Sequence, residues 1–194
     1  MARFKSHLQD LDNDKTMVFT FGRFAPPHKG HYMLWESVAK EAKRRRGDAI
    51  VYTSWSFNTK KNPLTPSDKS YFIKKMMPKG ISFSEDQSLK NTQQIAKDLI
   101  AKGYTRIVLM VGADRLKDFE SMKKQVQDFS DGACVLEVVS FSGKSRIGNY
   151  SGTRMRNLAK ENNFEEFYAD LPKAINKKEA QDLFEKVRIG LGVK

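Results

Sequence analysis

The sequence predicts an α/β fold built on a parallel sheet, on three observations. Short apolar runs alternate with longer stretches of helical periodicity across most of the 194 residues. The most apolar run, Arg106-Ile107-Val108-Leu109-Met110-Val111, does not alternate, as expected of a strand covered on both faces. The run Val18-Phe19-Thr20-Phe21 stops at Gly22, passes Pro26 and Pro27, which forbid both helix and ladder, and enters a helical stretch. That is the strand–loop–helix step of a parallel sheet.

Taken in order, residues 1–15 carry mixed charge without a period and read as a polar lead-in. Asp10-x-Asp12-x-Asp14 lacks the later glycine and glutamate of a calcium loop. The first strand is predicted at about 17–21. A helix follows from about 29 to 46, with Met33/Leu34, Val38 and Ala42 as its apolar stripe and Gly47 after its end. Ala49-Ile50-Val51-Tyr52-Thr53 reads as the second strand, joined to the first by a right-handed crossover.

A long loop, 54–65, precedes a helix at about 67–76, which Thr65 or Ser67 can cap and Pro66 can open. Ile81-Ser82-Phe83-Ser84 is a short third strand. Residues 91–102 read as a helix with Ile95, Leu99 and Ile100 inward and Gly103 past its end. After the apolar fourth strand, a helix is expected at about 115–129 and a fifth strand at 133–140. Ser151 or Thr153 can cap a further helix. Residues 162–194 turn helical and charged and are expected to form two short helices packed on the domain of residues 16–161. The alternation makes a Rossmann-like, doubly wound parallel sheet of about five strands with a helical C-terminal appendage.

The formal charge of +12 favours polyanionic partners, either nucleotides drawn into a cleft or nucleic acid. Arg44-Arg45-Arg46 ends a predicted helix and reads as a solvated terminus meeting the helix dipole. No stretch has the length of a transmembrane helix, and the N-terminus lacks the apolar core of a signal peptide. The single Cys134, between Ala133 and Val135, reads as a small buried hydrophobe in a reducing, cytoplasmic setting. No Cys/His cluster has zinc spacing, and no Gly-x-Gly-x-x-Gly follows a strand, which argues against nicotinamide or flavin redox chemistry.

The chemistry concentrates where predicted strands end. His28-Lys29-Gly30-His31 places two of the three histidines beside a helix N-terminus at the carboxyl edge of the sheet, where unpaired N–H groups attract anions. Ser151-Gly152-Thr153-Arg154-Met155-Arg156 offers hydroxyls, amides and a guanidinium at a second helix start. Lys60 and Lys61 lie in a loop after a strand, at the same edge, placed to meet phosphate.

Gly22-Arg23-Phe24-x-Pro26-x-His28-x-Gly30-His31 resembles the N-terminal signature of the HxGH nucleotidyltransferase superfamily, which includes nicotinamide mononucleotide and phosphopantetheine adenylyltransferases and glycerol-phosphate cytidylyltransferases. Ser151-Gly152-Thr153-x-x-Arg156 resembles its second signature, and Gly112-Ala113-Asp114 resembles the Gly-x-Asp of its adenylyltransferases. Asn62-Pro63-Leu64-Thr65 is similar to the Asn-Pro-Phe-Thr segment of archaeal-type nicotinamide mononucleotide adenylyltransferases, with Asp68-Lys69 where those have an acidic residue and an arginine. The chain as a whole looks like tailed-bacteriophage members of the superfamily, which would place it in the host cytoplasm.

The resemblance implies a strand order of 3-2-1-4-5 and attack by an acceptor phosphate on the α-phosphate of a nucleoside triphosphate. His28 and His31 would bind triphosphate oxygens, and Ser151, Thr153 and Arg156 would grip the β- and γ-phosphates. Arg23 and Lys29 are secondary candidates, with Gly22, Phe24 and Gly30 completing the turn. Gly112 would let the nucleotide approach the backbone, and Asp114 would hold a ribose hydroxyl or cap a helix. Trp55, Lys60, Lys61 and Asn62 form the candidate acceptor or phosphate loop, with Trp55 or Phe57 able to stack on a ring. Mg²⁺ would arrive with the nucleotide, with no protein metal site implied. ATP and nicotinamide mononucleotide are the favoured substrates. A cytidylyltransferase for a small phosphorylated alcohol or sugar is the alternative, as is a non-catalytic nucleic-acid-binding protein on the same fold. A homo-oligomer is compatible with the sequence.

Overall fold

The structure is a computed structural model and describes residues 15–141 and 150–193, the side chain of Asp114 excepted. The Asp10-x-Asp12-x-Asp14 stretch and nearly all of the lead-in lie outside the described residues.

Five parallel strands form one sheet in the order β3-β2-β1-β4-β5. They are β1 (Thr16–Gly22), β2 (Asp48–Thr53), β3 (Ser82–Phe83), β4 (Arg106–Gly112) and β5 (Val135–Phe141). The helices are α1 (Lys29–Arg45), α2 (Pro66–Met76), α3 (Thr92–Ala101), α4 (Glu120–Phe129), α5 (Gly152–Lys160), α6 (Phe164–Ala169) and α7 (Lys177–Gly190). This is the doubly wound Rossmann-like arrangement with the expected strand order.

Strand alternation distributes the core. Val18, Val108 and Met110 face α1 with Val38 and Ala42, whereas Phe19, Ile107, Leu109 and Val111 face the opposite layer with Ile95, Leu99, Met122 and Val126. β4 is therefore apolar throughout because both of its faces are covered. Cys134 belongs to the second layer at 1% exposure, and burial pushes its thiol up to about 11, which leaves it inert at neutral pH.

Three local expectations need correction. The helix expected at 115–129 is two pieces: a 3₁₀ helix over Ala113–Phe119, then α4. Phe119, at φ −114° and ψ 3°, departs from helical geometry at the junction. The second C-terminal helix is not short, since α7 runs for 14 residues. Asn176 and Glu179 close a capping box at its start, and Ala180, Leu183, Phe184 and Val187 bury one stripe. Finally, the arginine run is not simply solvated. Arg45 grips Glu137 of β5 through its two terminal guanidinium nitrogens, at 2.9 and 2.7 Å, and Arg106 shares that carboxylate at 2.8 Å. The ion pair ties the end of α1 to the sheet.

The C-terminal helices pack where the chemistry is expected. Phe167, Phe184 and Val187 share one core cluster with Phe24, Trp35, Phe72 and Met155. Gly190 lies so close to Pro63 that a Cβ there would sit 1.7 Å from the Pro63 carbonyl oxygen. Lys186 pairs with Asp68, and Lys75 with Glu179, both at 2.8 Å, which joins α7 to α2. Among the described residues no helix is long and apolar enough to cross a membrane.

Candidate active site

The carboxyl ends of β1 and β4 open into a cleft of about 340 Å³. Two helix starts border it: His31 comes from the first turn of α1, and Gly152, Thr153 and Arg156 come from α5. Neighbouring strands are hydrogen-bonded within their ladders, so this edge is where their connections have to turn, and side chains from separate segments meet there.

The turn after β1 is built around Phe24. Its backbone lies in the left-handed region at φ 44°, which an aromatic residue adopts only when its surroundings hold it. They do: its ring meets His31 edge-on at 4.8 Å and Trp35 at 5.2 Å, and it is buried to 2% exposure. A side chain at Gly22 would come within 2.6 Å of that ring, so the glycine makes room for it. The Gly22 carbonyl accepts from the Thr53 hydroxyl and the Ser54 amide at 3.0 and 3.1 Å, fixing the end of β1 to the end of β2.

His28 is the N-cap of α1. Its Nδ1 accepts from the Gly30 amide at 3.1 Å, so the neutral ring carries its proton on Nε2. A Cβ on Gly30 would stand 3.1–3.2 Å from this ring and from Tyr150, so the glycine lets the imidazole lie against the helix. The His31 ring stacks on His28 with centroids 3.7 Å apart. Burial, and then the charge of Arg156, holds the His28 imidazole down at about 3. Burial and the neighbouring His28 hold His31 well below its ordinary value. Both rings are neutral at physiological pH, so each can offer a ring N–H but no positive charge. His31 Nδ1 is buried without a partner among the described residues.

Across the cleft, Ser151 caps α5 by accepting from the Arg154 amide at 3.1 Å. Arg156 reaches back over the turn to the Ala25 carbonyl at 2.8 Å and to Thr153 Oγ1 at 3.1 Å. Burial, and then Arg23, lowers the Arg156 pKa. Arg23, Lys61, Arg115 and Arg156 all line the cleft, and among its described lining residues there is no carboxylate. Behind this wall Lys69 is fully buried and donates to the Ser54 carbonyl at 2.7 Å. Burial, and then Arg23, pulls Lys69 down to about 8.

The structure thus brings together Gly22, Arg23, Phe24, His31, Lys61, Gly112, Ser151, Thr153 and Arg156, with His28 directly behind His31. Other candidates sit elsewhere. Trp55 donates from Nε1 to the Asp86 carbonyl at 3.3 Å and packs beside Phe83, away from the cleft. Asn62 is buried in a tight turn in which Asn58 Oδ1 accepts from the amides of Lys60, Lys61 and Asn62. Of that loop only Lys61 reaches the lining, and Lys60 and the exposed Phe57 do not. Lys29 opens α1 with its ammonium over the Tyr150 ring and is not part of the lining either. Asp114 begins the 3₁₀ helix, but its side chain lies outside the described residues. Arg115 was not singled out from sequence, although it directly follows the Gly-Ala-Asp stretch at the end of β4. Arg154, adjacent in sequence to the clamp, turns away and pairs with Asp170 and Glu166 at 2.8 and 2.7 Å.

Two helix starts and a basic lining, with no carboxylate among its described residues, suit a polyphosphate in an α/β protein of this class. The profile of the cytidylyltransferase-like family matches residues 19–158, and the chain belongs to that family. Among solved structures it is similar to TmcAL of Thermotoga maritima crystallised with alpha-thio ATP, at 14% identity and a TM-score of 0.47 over 92% of this chain and 56% of that one. It is also similar to a Streptococcus pneumoniae protein described as a macrolide-efflux protein, at 18% identity and a TM-score of 0.45 over 81% of this chain and 55% of that one. The chain therefore spans little more than half the length of these two structures. A comparison with curated proteins gives no match.

Proposed function

We propose that the chain is an adenylyltransferase that moves AMP from ATP to a phosphorylated acceptor, with nicotinamide mononucleotide favoured, giving NAD and pyrophosphate. The observation that carries this reading is the stacked, neutral His28–His31 pair facing the Ser151–Arg156 helix start across one cleft. An oxygen of the acceptor phosphate attacks the α-phosphorus of ATP. The bond from that phosphorus to the α,β-bridging oxygen breaks, and pyrophosphate leaves with the bonding pair. No protein nucleophile is required, so the catalytic groups act by holding phosphates in line and by stabilising charge as it develops.

In this reading His31 donates to oxygens of the reacting phosphate, and His28 supports it through the stack while its own Nε2–H remains a donor. Ser151, Thr153 and Arg156 hold the β- and γ-phosphates at the N-terminus of α5. Burial, and then the charge of Arg23, lowers both Lys69 and Arg156, so Arg23 repels each of these cations until an anion lies beside it. An acceptor phosphate beside Arg23 relieves that repulsion, which supports a phosphorylated acceptor. Gly112, at the end of β4, and Arg115, in the 3₁₀ helix after it, would meet the nucleoside. Mg²⁺ would accompany the triphosphate and supply charge neutralisation, held mainly by phosphate oxygens and water, since no carboxylate stands among the described lining residues.

Adenine and nicotinamide rest on the resemblance of Gly112-Ala113-Asp114 and Asn62-Pro63-Leu64-Thr65 to adenylyltransferase segments. The family description favours a second reading, cytidylyl transfer from CTP to a small phosphorylated alcohol or sugar. The deciding experiment is pyrophosphate release with Mg²⁺, each of ATP and CTP, and a panel of phosphorylated acceptors. Release with ATP and nicotinamide mononucleotide, with the dinucleotide seen by mass, establishes NAD synthesis. Release only with CTP and an alcohol or sugar phosphate establishes the second reading. No turnover, with tight salt-sensitive DNA or RNA binding, rejects both in favour of a nucleic-acid-binding protein on this fold.

A further inference from the structure

Asp170 touches both of the helix starts that border the cleft. It closes α6, with a side chain only 10% exposed. Its carbonyl accepts from the amide of Lys29, the first residue of α1, at 2.9 Å. That amide is one of the four at a helix start that lack an intrahelical partner, so the bond fixes where α1 begins. Its carboxylate accepts from Arg154 Nε at 2.8 Å, and Arg154 lies in the first turn of α5. The second arm of Arg154 takes Glu166 at 2.7 Å, on the preceding turn of α6. Arg154 and Arg156 leave α5 in different directions: Arg156 lines the cleft, and Arg154 anchors the helix from behind.

We propose that Asp170 is a positioning residue for nucleotidyl transfer: by its main-chain oxygen and its carboxylate it sets the spacing between the α1 and α5 starts that hold the triphosphate. The inference rests on the function proposed above and extends it to a segment that carries no chemistry of its own. The first turns of α1 and α5 belong to distant parts of the sequence, and neither strand ladder nor turn connects them directly. Arg156 to Ala25 is one tie across the front of the site, and Asp170 with Arg154 is the tie behind it. In-line transfer is sensitive to displacements of an ångström or less, so loosening the rear tie acts on rate before it acts on folding.

The test compares the native chain with Asp170→Ala, Arg154→Ala and the double variant, on protein shown to be folded by thermal unfolding above the assay temperature. Asp170→Ala is expected to lower kcat about 10- to 100-fold, Arg154→Ala to do the same, and the double variant to be little worse than either. Arg154→Lys, which keeps one arm of the pair, should recover part of the rate. A merely structural role lowers the folded fraction and leaves the rate per folded molecule near native. A folded Asp170→Ala with kcat within about twofold of native overturns the proposal. Should the alanine variant fail to fold, Asp170→Asn keeps the shape and decides by the same criterion.

A second arm needs no turnover: inorganic pyrophosphate binding by calorimetry is expected to weaken about tenfold in Asp170→Ala. If the native chain turns over no substrate pair, the proposed function fails and this arm alone decides the positioning role. Equal pyrophosphate affinity in native and variant, or none in the native chain, overturns it.

Discussion

The imidazoles of His28 and His31 stack at 3.7 Å with 27° between their planes, and one of them caps the helix that carries the other. A capping ring cannot rotate without releasing the Gly30 amide, so the stack fixes the plane of His31 as well. The pair is a preorganised donor surface, in which the orientation is set by folding and not by the ligand.

In the proposed reaction, replacing His31 removes the donor assigned to the reacting phosphate. His31→Ala is expected to stay folded and to lose about 10²–10³ in kcat. Steady-state pyrophosphate release with circular dichroism as a fold control checks this, and a variant retaining most of its rate would sink the role assigned to the residue.

Acid should destabilise the chain through the same pair. The folded His28 binds its proton only near pH 3, against 6.5 for the ordinary imidazole, so the unfolded chain takes up the proton first as pH falls. Stability from this group is fully present above about pH 6.5 and is lost toward pH 3; at pH 5 the loss is roughly 2 kcal/mol. Urea unfolding at pH 7.5 and pH 5 measures it. His28→Asn keeps a capping acceptor and should reduce the dependence, leaving the part that belongs to the buried His31, whereas an unchanged slope in that variant would exclude His28 as a source.

Gly30→Ala separates stability from rate. Alanine gains about 1 kcal/mol of helix propensity over glycine, but the new Cβ must push against the His28 ring or Tyr150 at 3.1–3.2 Å. The two effects largely cancel in stability. The displaced imidazole does not cancel, and kcat is expected to fall about tenfold. Native-like rate with native-like melting would show that the glycine serves only the turn.

Lys69 is a fully buried ammonium with no carboxylate partner among the described residues. Lys69→Met removes a buried charge and leaves the Ser54 carbonyl short of one donor, a cost of about 1–3 kcal/mol that the relieved charge burial offsets. Melting is expected to hold or rise while KM for the phosphorylated acceptor increases about tenfold, since one of the cations around Arg23 is gone. A large fall in melting temperature with unchanged KM would make Lys69 a structural donor only.

Much of this architecture was legible from local pattern. The β1–loop–α1 step was marked by an apolar run, a glycine and two prolines, and β4 by an unbroken apolar run, because both depend on neighbours in sequence. The Ser151 cap was legible for the same reason. What escaped were contacts between distant segments. Trp55 looked free to reach a ligand, but the Asp86 carbonyl that holds it belongs to the segment after β3. Arg45 read as a solvated charge because Glu137, its partner, lies on β5. His28 read as a ligand only, since histidine is seldom a cap and nothing in the sequence says which way its ring turns. The Asp170 ties left no signal at all, one of them being a main-chain carbonyl that any residue supplies.

The contact between Gly190 and Pro63 has a consequence for synthesis. The strands and the helix that carries His31 leave the ribosome well before α7 does, and nothing in their pairing requires it. The loop that brings Lys61 to the cleft has its seat against Gly190, at the last turn of α7. The nascent chain can thus hold a formed sheet and an unfinished binding wall at the same time, because the contact with Gly190 forms only after residue 190 has left the ribosome.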